Sequence, residues 1–169
     1  MTRTLYVLRH AKSDYPPGVP DIDRPLGPRG RRDAPVAGRW LATASAPVTQ
    51  AIVSPARRTR QTWELASSQF PTTVPIATDG RIYAAHPEQL LAVITTMGDD
   101  PDGLVLVGHN PGCEELADLL AGPGSDADAG ARMEVKYPTA AIAVLESDAP
   151  WPEWTTGSAR LIDFVVPRG

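Results

Sequence analysis

Short apolar runs recur along the chain and are separated by longer stretches with a helical period. Residues 4–8 alternate and predict a first strand, whereas residues 104–107 are continuously apolar, as expected of a strand buried on both faces. The other strands are predicted at Gln50–Val53, near 74–76, at 140–145 and at 161–166. Strands are therefore expected along the whole chain.

Helices are predicted between these strands. The helical pattern of residues 28–44 contains Pro35, which is expected to kink the helix or to delay its start. Ser54-Pro55 and Asn110-Pro111 both have the pattern of an N-cap followed by proline at the first helical position. Each pair therefore predicts the start of a helix.

Two further segments complete the predicted architecture. A helix is expected at 87–97, and residues 121–132, rich in Gly, Ala, Asp and Ser, are expected to form a loop. Strands that alternate with helices predict an α/β fold. We expect one domain over residues 1–169, a three-layer α/β/α sandwich with a mostly parallel central sheet.

Composition narrows the class of protein. The chain has 169 residues, 42% hydrophobic and 21% charged, which fits one globular domain with its own core. It has no run of about 18 apolar residues and no signal-peptide layout, and its single cysteine, Cys113, excludes an internal disulfide framework. A net charge of −4 argues against nucleic-acid binding. We therefore expect a cytoplasmic protein that binds neither membrane nor nucleic acid.

Unusual polar residues follow three of the predicted strands. The first strand ends in Arg9-His10, the second leads into Arg57-Arg58, and the apolar strand at 104–107 ends in Gly108-His109. Ligands of open α/β sheets bind outside the carboxyl ends of the strands. If these strands are neighbours, the side chains form a cationic pocket that suits a phosphoryl group.

Each of these residues also has a purely structural interpretation. A lone histidine at a strand end is more often a hydrogen-bonded structural residue, and the arginines fit a solvated helix face. A helical wheel separates the arginines, because it places Arg58 beside the core face and Arg57 toward solvent. Cys113 falls on an apolar stripe and is expected in the core, and His86 is expected at the surface or as a helix cap.

The joint pattern is more specific than its parts. Arg9-His10 within residues 8–13 resembles the first signature of the histidine phosphatase superfamily. Residues 54–62 resemble its second motif, and residues 107–112 its third. Three features resemble those of the SixA-like phosphohistidine phosphatase branch. They are the Arg-His-Ala-Lys-Ser variant of the first signature, the stretch 23–26 and the segment 137–139.

This resemblance implies roles for particular residues. His10 would be the nucleophile that becomes phosphorylated, and Arg9, Arg58 and His109 would surround the phosphoryl oxygens, with Ser13 also at the substrate. A neutral imidazole is a competent nucleophile near pH 7, and guanidinium groups can stabilise the charge of the transferred phosphoryl group. The resemblance implies no metal and no other cofactor, with inorganic phosphate as product.

The chain departs from many members of this superfamily at the general acid. No acidic residue of segment 81–88 falls clearly into register, which leaves Glu88, Asp14 and Asp21 as candidates. A phosphoramidate leaving group is protonated more readily than an alkoxide, so the missing acid favours phosphohistidine. Only about 17 residues separate the second-motif helix from the next helix, too few for a large lid.

The sequence thus predicts a metal-independent phosphatase acting through a phosphohistidine intermediate, with protein phosphohistidine as substrate. Hydrolysis of a small phosphate ester is the alternative within the superfamily, and a phosphoglycerate mutase is disfavoured by the short chain. A non-catalytic phosphate-binding module and a metallohydrolase built on His10, His109 and an aspartate are the alternatives from other classes. We expect a monomer.

Overall fold

Six strands form one mixed sheet in the computed structural model, which describes residues 1–168. In chain order they are β1 (Arg3–Arg9), β2 (Gln50–Val53), β3 (Ile76–Thr78), β4 (Gly103–Gly108), β5 (Ile142–Ser147) and β6 (Arg160–Val165). Their order across the sheet is β3-β2-β4-β1-β5-β6. All predicted strands are present, with β3 starting two residues later than expected.

The strand directions place three strand ends at one edge. β3, β2, β4 and β1 run parallel, and β5 is antiparallel to both of its neighbours. In this register Arg9 pairs with Gly108, and Val53 pairs with Val107. The carboxyl ends of β2, β4 and β1 therefore lie side by side, and the predicted mostly parallel sheet is confirmed.

Five helices cover the two faces of the sheet. They are α1 (Pro28–Ala42), α2 (Arg57–Ser67), α3 (Pro87–Thr95), α4 (Gly112–Leu120) and α5 (Ala127–Val135). Alternate residues of β1 point to opposite faces, as in any strand. Tyr6 and Leu8 pack with residues of α1 and α2, whereas Leu5 and Val7 pack with residues of α3, α4 and α5. The predicted three-layer sandwich is confirmed.

Both proline-marked helix starts were predicted wrongly. α2 begins at Arg57 with Ala56 as its N-cap residue, and α4 begins at Gly112. Ser54 still belongs to the sheet edge, because its N–H donates to the Val107 carbonyl. Its side-chain oxygen contacts the ring of His109. The chain must leave the edge of the sheet before it can turn into a helix.

Two other helix predictions also need correction. Residues 127–135 form α5 where a loop was expected, since the Asp126 carboxylate accepts a hydrogen bond from the Ala129 N–H and caps the helix. α1 begins at Pro28, so Pro35 does not delay its start. No helix within residues 1–168 has the length and apolar character needed to cross a membrane.

Candidate active site

A cationic pocket lies at the edge where β1, β4 and β2 end. His10 follows β1 and His109 follows β4, and their ring centroids are 5.3 Å apart. Arg58 reaches the same point from the first turn of α2. The pocket has a volume of about 290 Å³ and is also lined by Arg9, Lys12, Ser13, Tyr15, Asp21, Arg24, Asn110 and Thr139. Folding thus brings together His10, Arg9, Arg58, His109 and Ser13.

The hydrogen bonding of His10 determines which ring nitrogen is available. Its Nδ1 lies 2.7 Å from the Ala11 carbonyl oxygen, which can only accept a hydrogen bond, so Nδ1 carries the proton. The ring is 8% exposed, and this burial lowers the pKa of His10 to about 3. His10 is therefore neutral at physiological pH, with the lone pair on Nε2.

His109 is also held as a neutral imidazole. Burial and the positive charge of Arg58 lower the pKa of His109 to about 4. Its Nε2 lies 2.8 Å from Oγ of Ser54, which is fully buried at the end of β2. Ser54 was not predicted as a site residue from the sequence, because the proline that follows it indicated a helix cap.

Arg9 is anchored by backbone rather than by a carboxylate. Its Nη1 donates to the Tyr137 carbonyl at 2.7 Å, and within residues 1–168 its buried Nε has no hydrogen-bond partner. Burial lowers the pKa of the Arg9 guanidinium. The Tyr137 side chain fixes this arrangement, since its hydroxyl bonds the Val7 carbonyl and accepts from the Ala143 N–H.

Arg58 and Arg57 differ as the helical wheel predicts. Arg58 is 5% exposed, whereas Arg57 is exposed. The Nη1 of Arg58 donates to the Asp21 carbonyl at 2.7 Å and its Nη2 to the Asp21 carboxylate at 3.1 Å. The buried Nε of Arg58 has no partner in the described part of the chain. A buried guanidinium with a free donor is suited to bind an additional anion.

Only Asp21 among the three acid candidates lines the pocket. Glu88 and Asp14 are exposed and lie outside its lining. The Asp21 carboxylate accepts from the Tyr83 hydroxyl at 2.5 Å and from Arg24 at 3.0 Å, besides its contact with Arg58. These hydrogen bonds, that of Tyr83 above all, lower the pKa of Asp21 to about 2. Asp21 is therefore ionised at neutral pH, which is unfavourable for a general acid.

Arg24 is a pocket residue to which the sequence analysis assigned no role. It is 9% exposed, and its Nη1 donates to Ser13 Oγ at 2.8 Å. Its guanidinium carbon lies 3.9 Å from the ring centre of Tyr15. In the sequence Arg24 lies within the stretch 23–26, which indicated the SixA-like branch but no role for Arg24 at the site. Arg24 connects the loop of residues 14–28 to the cationic pocket.

A second cavity adjoins the first. Its volume is about 460 Å³, and it shares Asp21, Arg58, His109 and Asn110 with the cationic pocket, whereas His10 does not line it. Its other walls are formed by Ile82, Tyr83, Ala84, Ala85, His86, Leu90, Pro111, Gly112 and Glu115. His86 is exposed at the start of α3, and Cys113 is fully buried, both as predicted.

The site combines buried cations with two neutral imidazoles. Three arginines, Arg9, Arg24 and Arg58, line the pocket beside His10 and His109. Within residues 1–168 no group of three or more His, Cys, Asp or Glu side chains is arranged to hold a metal ion. Such a site can bind a phosphoryl group and offer it a nitrogen nucleophile.

Comparison with known proteins defines the class. Residues 5–83 match the family model described as histidine phosphatase superfamily (branch 1). An uncharacterised protein of Mycobacterium tuberculosis is 41% identical over 162 residues, which cover 95% of this chain and 100% of the relative. The chain belongs to the histidine phosphatase superfamily.

Solved structures give the same assignment in more detail. A candidate phosphohistidine phosphatase SixA from Nakamurella multipartitia has a TM-score of 0.84 and 28% identity, covering 99% of this chain and 97% of that one. A second candidate SixA, from Agrobacterium tumefaciens, has a TM-score of 0.78 and 28% identity, covering 98% of this chain and 99% of that one. The predicted resemblance to SixA-like proteins is confirmed.

Proposed function

We propose that this phosphatase hydrolyses protein phosphohistidine through a phosphorylated His10. The observation that carries the proposal is the state of His10, whose Nδ1–H donates to the Ala11 carbonyl and leaves Nε2 free and unprotonated. His10 directly follows a strand, so the nucleophile is held on a rigid element. Similarity to the two SixA candidates supports the same substrate class.

In the first step His10 Nε2 attacks phosphorus in line. A bond forms between Nε2 and phosphorus, and the bond from phosphorus to the substrate's imidazole nitrogen breaks. Arg9 and Arg58 would neutralise the equatorial oxygens, with the unpartnered Nε of each guanidinium as an available donor. Ser13 and His109 line the same pocket and would complete the binding of the oxygens.

The state of Asp21 favours a leaving group that departs without a strong acid. Asp21 is ionised, and Glu88 and Asp14 lie outside the pocket, so none of the three is placed and protonated for general-acid catalysis. An imidazole leaving group can be protonated from solvent, whereas an alkoxide needs a positioned acid. This difference supports phosphohistidine over an alkyl phosphate.

The second step releases phosphate from His10. Water attacks phosphorus, the bond between phosphorus and His10 Nε2 breaks, and the proton of the water passes to a phosphoryl oxygen or to solvent. The Asp21 carboxylate lines both cavities and would orient this water as a hydrogen-bond acceptor, since its pKa of about 2 makes it a weak base. The products of this step are inorganic phosphate and free His10.

The intermediate is tested by rapid quenching during turnover. We expect one phosphate per chain, labile to acid and stable to alkali, that peptide mapping assigns to His10. His10→Ala should abolish both the label and turnover, whereas Arg57→Ala, at an exposed side chain outside both cavities, should preserve both. Label on His109, or turnover without any phosphoenzyme, would overturn the assignment of the nucleophile.

The substrate class is tested by comparing specificity constants at one pH. The panel contains a phosphohistidine peptide, an aryl phosphate and a sugar phosphate. We expect the phosphohistidine peptide to be preferred over the sugar phosphate, because no protonated acid faces the leaving group. A strong preference for a sugar phosphate or phosphoglycerate would assign the chain to small-metabolite hydrolysis instead.

A further inference from the structure

We infer that the substrate segment beside the phosphohistidine carries lysine or arginine, and that Glu115 selects for this charge. The inference rests on the proposed function and specifies its substrate more closely. It follows from the position of the second cavity, from the charges that line it, and from the larger cavity next to it.

The second cavity offers space for the leaving group. In-line transfer requires the leaving group to lie on the side of phosphorus opposite His10 Nε2. The second cavity shares Arg58 and His109 with the cationic pocket and is not lined by His10. The Nε of Arg58 is an unpartnered donor on a side chain only 5% exposed, so a phosphoryl group bound there would join the two cavities.

The charged side chains that line the second cavity favour a cation. Among residues 1–168 Arg58 is the only lysine or arginine that lines it, and a bound phosphoryl group would neutralise that charge. Asp21 and Glu115 contribute two carboxylates, of which that of Asp21 is already paired with Arg24 and Arg58. Within residues 1–168 Glu115 forms no salt bridge, and only the helix dipole at the first turn of α4 offsets its charge.

The negative surface continues beyond Glu115. Pro111 and Glu115 also line a cavity of about 720 Å³ between α4 and α5. Within the described residues 1–168 its lining contains no lysine or arginine, and it adds four carboxylates, those of Glu114, Asp118, Asp126 and Glu134. A basic chain segment that leaves the pocket over Glu115 would be attracted along this path, and an acidic segment would be repelled.

The two adjoining cavities, of about 460 and 720 Å³, leave room for a peptide segment beside the phosphorylated residue. The second cavity can receive the phosphorylated imidazole, and the larger cavity can receive the residues that adjoin it in the substrate. The larger cavity is also lined by Met133 and Leu161, which offer apolar contact for the methylene groups of a lysine or arginine side chain. The geometry therefore favours a basic segment of a phosphoprotein.

The test uses two phosphohistidine peptides that differ only in the flanking residues, lysine in one and glutamate in the other. We expect kcat/KM to favour the lysine peptide roughly tenfold at low ionic strength, with the ratio falling as salt is added. Glu115→Gln should reduce the ratio about three- to fivefold, the effect of one exposed ion pair. Glu153→Gln makes the same charge change on an exposed residue outside both cavities and should leave the ratio unchanged.

Equal rates for the two peptides, a preference for the glutamate peptide, or an unchanged ratio in Glu115→Gln would overturn the inference. A pair of aryl phosphates, one with a cationic and one with an anionic substituent, separates this failure from that of the proposed function. If the esters are hydrolysed but neither peptide is, the proposed phosphohistidine substrate is wrong and the inference fails with it. The ratio of the two ester rates in Glu115→Gln then still measures the charge selectivity of the cavity. If no substrate is hydrolysed, the proposed function fails and the inference with it.

Discussion

The two imidazoles of the pocket are neutral because they are buried beside arginines. Burial removes the water that stabilises an imidazolium ion, and the guanidinium groups add repulsion. As a result the pKa values of His10 and His109 fall to about 3 and about 4. The nucleophile is thus ready for attack without a separate base to deprotonate it.

This state predicts an unusual titration. In an NMR pH titration of the imidazole resonances between pH 7.5 and 4.5, neither His10 nor His109 should show an inflection near 6.5, the ordinary value for histidine. His10→Asn assigns the resonances by removing one set. A midpoint between pH 6 and 7 for either ring would contradict the neutral pocket.

The same shifts predict how stability depends on pH. Below about pH 6.5 the unfolded chain binds protons at these two histidines that the folded chain does not bind, so the free energy of unfolding falls as the pH falls. The expected loss is about 1.4 kcal/mol per pH unit for each histidine, until the pH reaches the folded pKa. Urea denaturation at pH 7 and pH 5 measures it, and His10→Asn should show a smaller loss than the wild type.

Arg58 and Arg57 offer a matched pair for testing the phosphate pocket. Arg58→Ala removes a buried cation from the pocket and should lower kcat/KM about 10²–10³-fold, as the loss of one strong transition-state contact does. Arg57→Ala makes the same change on the exposed side of α2 and should have little effect. Steady-state kinetics on an aryl phosphate decides this, and equal effects would show that the pocket is assigned wrongly.

At the scale of elements, the site depends on the order of three strands. β4 lies between β1 and β2, so the residues that follow these strands meet at one sheet edge. α2, which packs against α1, is also tied to this edge, because Ala11 after β1 donates its N–H to Thr62 Oγ1 in α2. The close approach of the two helices depends on Gly38, where a Cβ would lie 2.2 Å from the Ala66 carbonyl oxygen.

Two glycine substitutions test this packing. Gly38→Ala should lower the free energy of unfolding by about 1–3 kcal/mol, because the added methyl group forces α1 away from α2. Gly130→Ala should raise it by about 0.5–1 kcal/mol, since nothing lies within 4 Å of the new Cβ and alanine favours the helix. Urea denaturation measures both, and a neutral Gly38→Ala would show that the helices are not in tight contact.

At the scale of the whole molecule, arginine side chains would balance the negative charge of a bound phosphoryl group. Arg9, Arg24 and Arg58 converge on one pocket, and no metal-binding cluster is present among residues 1–168. Activity toward an aryl phosphate should therefore be unchanged by excess EDTA. Loss of activity that Zn²⁺ or Mg²⁺ restores would instead support the metallohydrolase alternative.

The element predictions succeeded where one local pattern dominated. Apolar runs predicted the strands, and the helical period placed Arg58 at the core side of α2, with Arg57 exposed. The prediction failed at α5, where a composition typical of loops concealed the cap formed by Asp126. It also failed at Ser54 and Pro55, because a proline pattern cannot show that the chain still belongs to the sheet edge.

The sequence by itself determined the α/β class, the three motifs and the residue types at the site, because periodicity and motif spacing are local properties. Only the tertiary structure decided which distant groups meet. Ser54 lies against His109 from 55 positions away, and Asp21 binds Arg58 from 37 positions away. The neutral imidazoles and the ionised Asp21 follow from these contacts, since burial and the proximity of charges depend on how the strands and loops pack together.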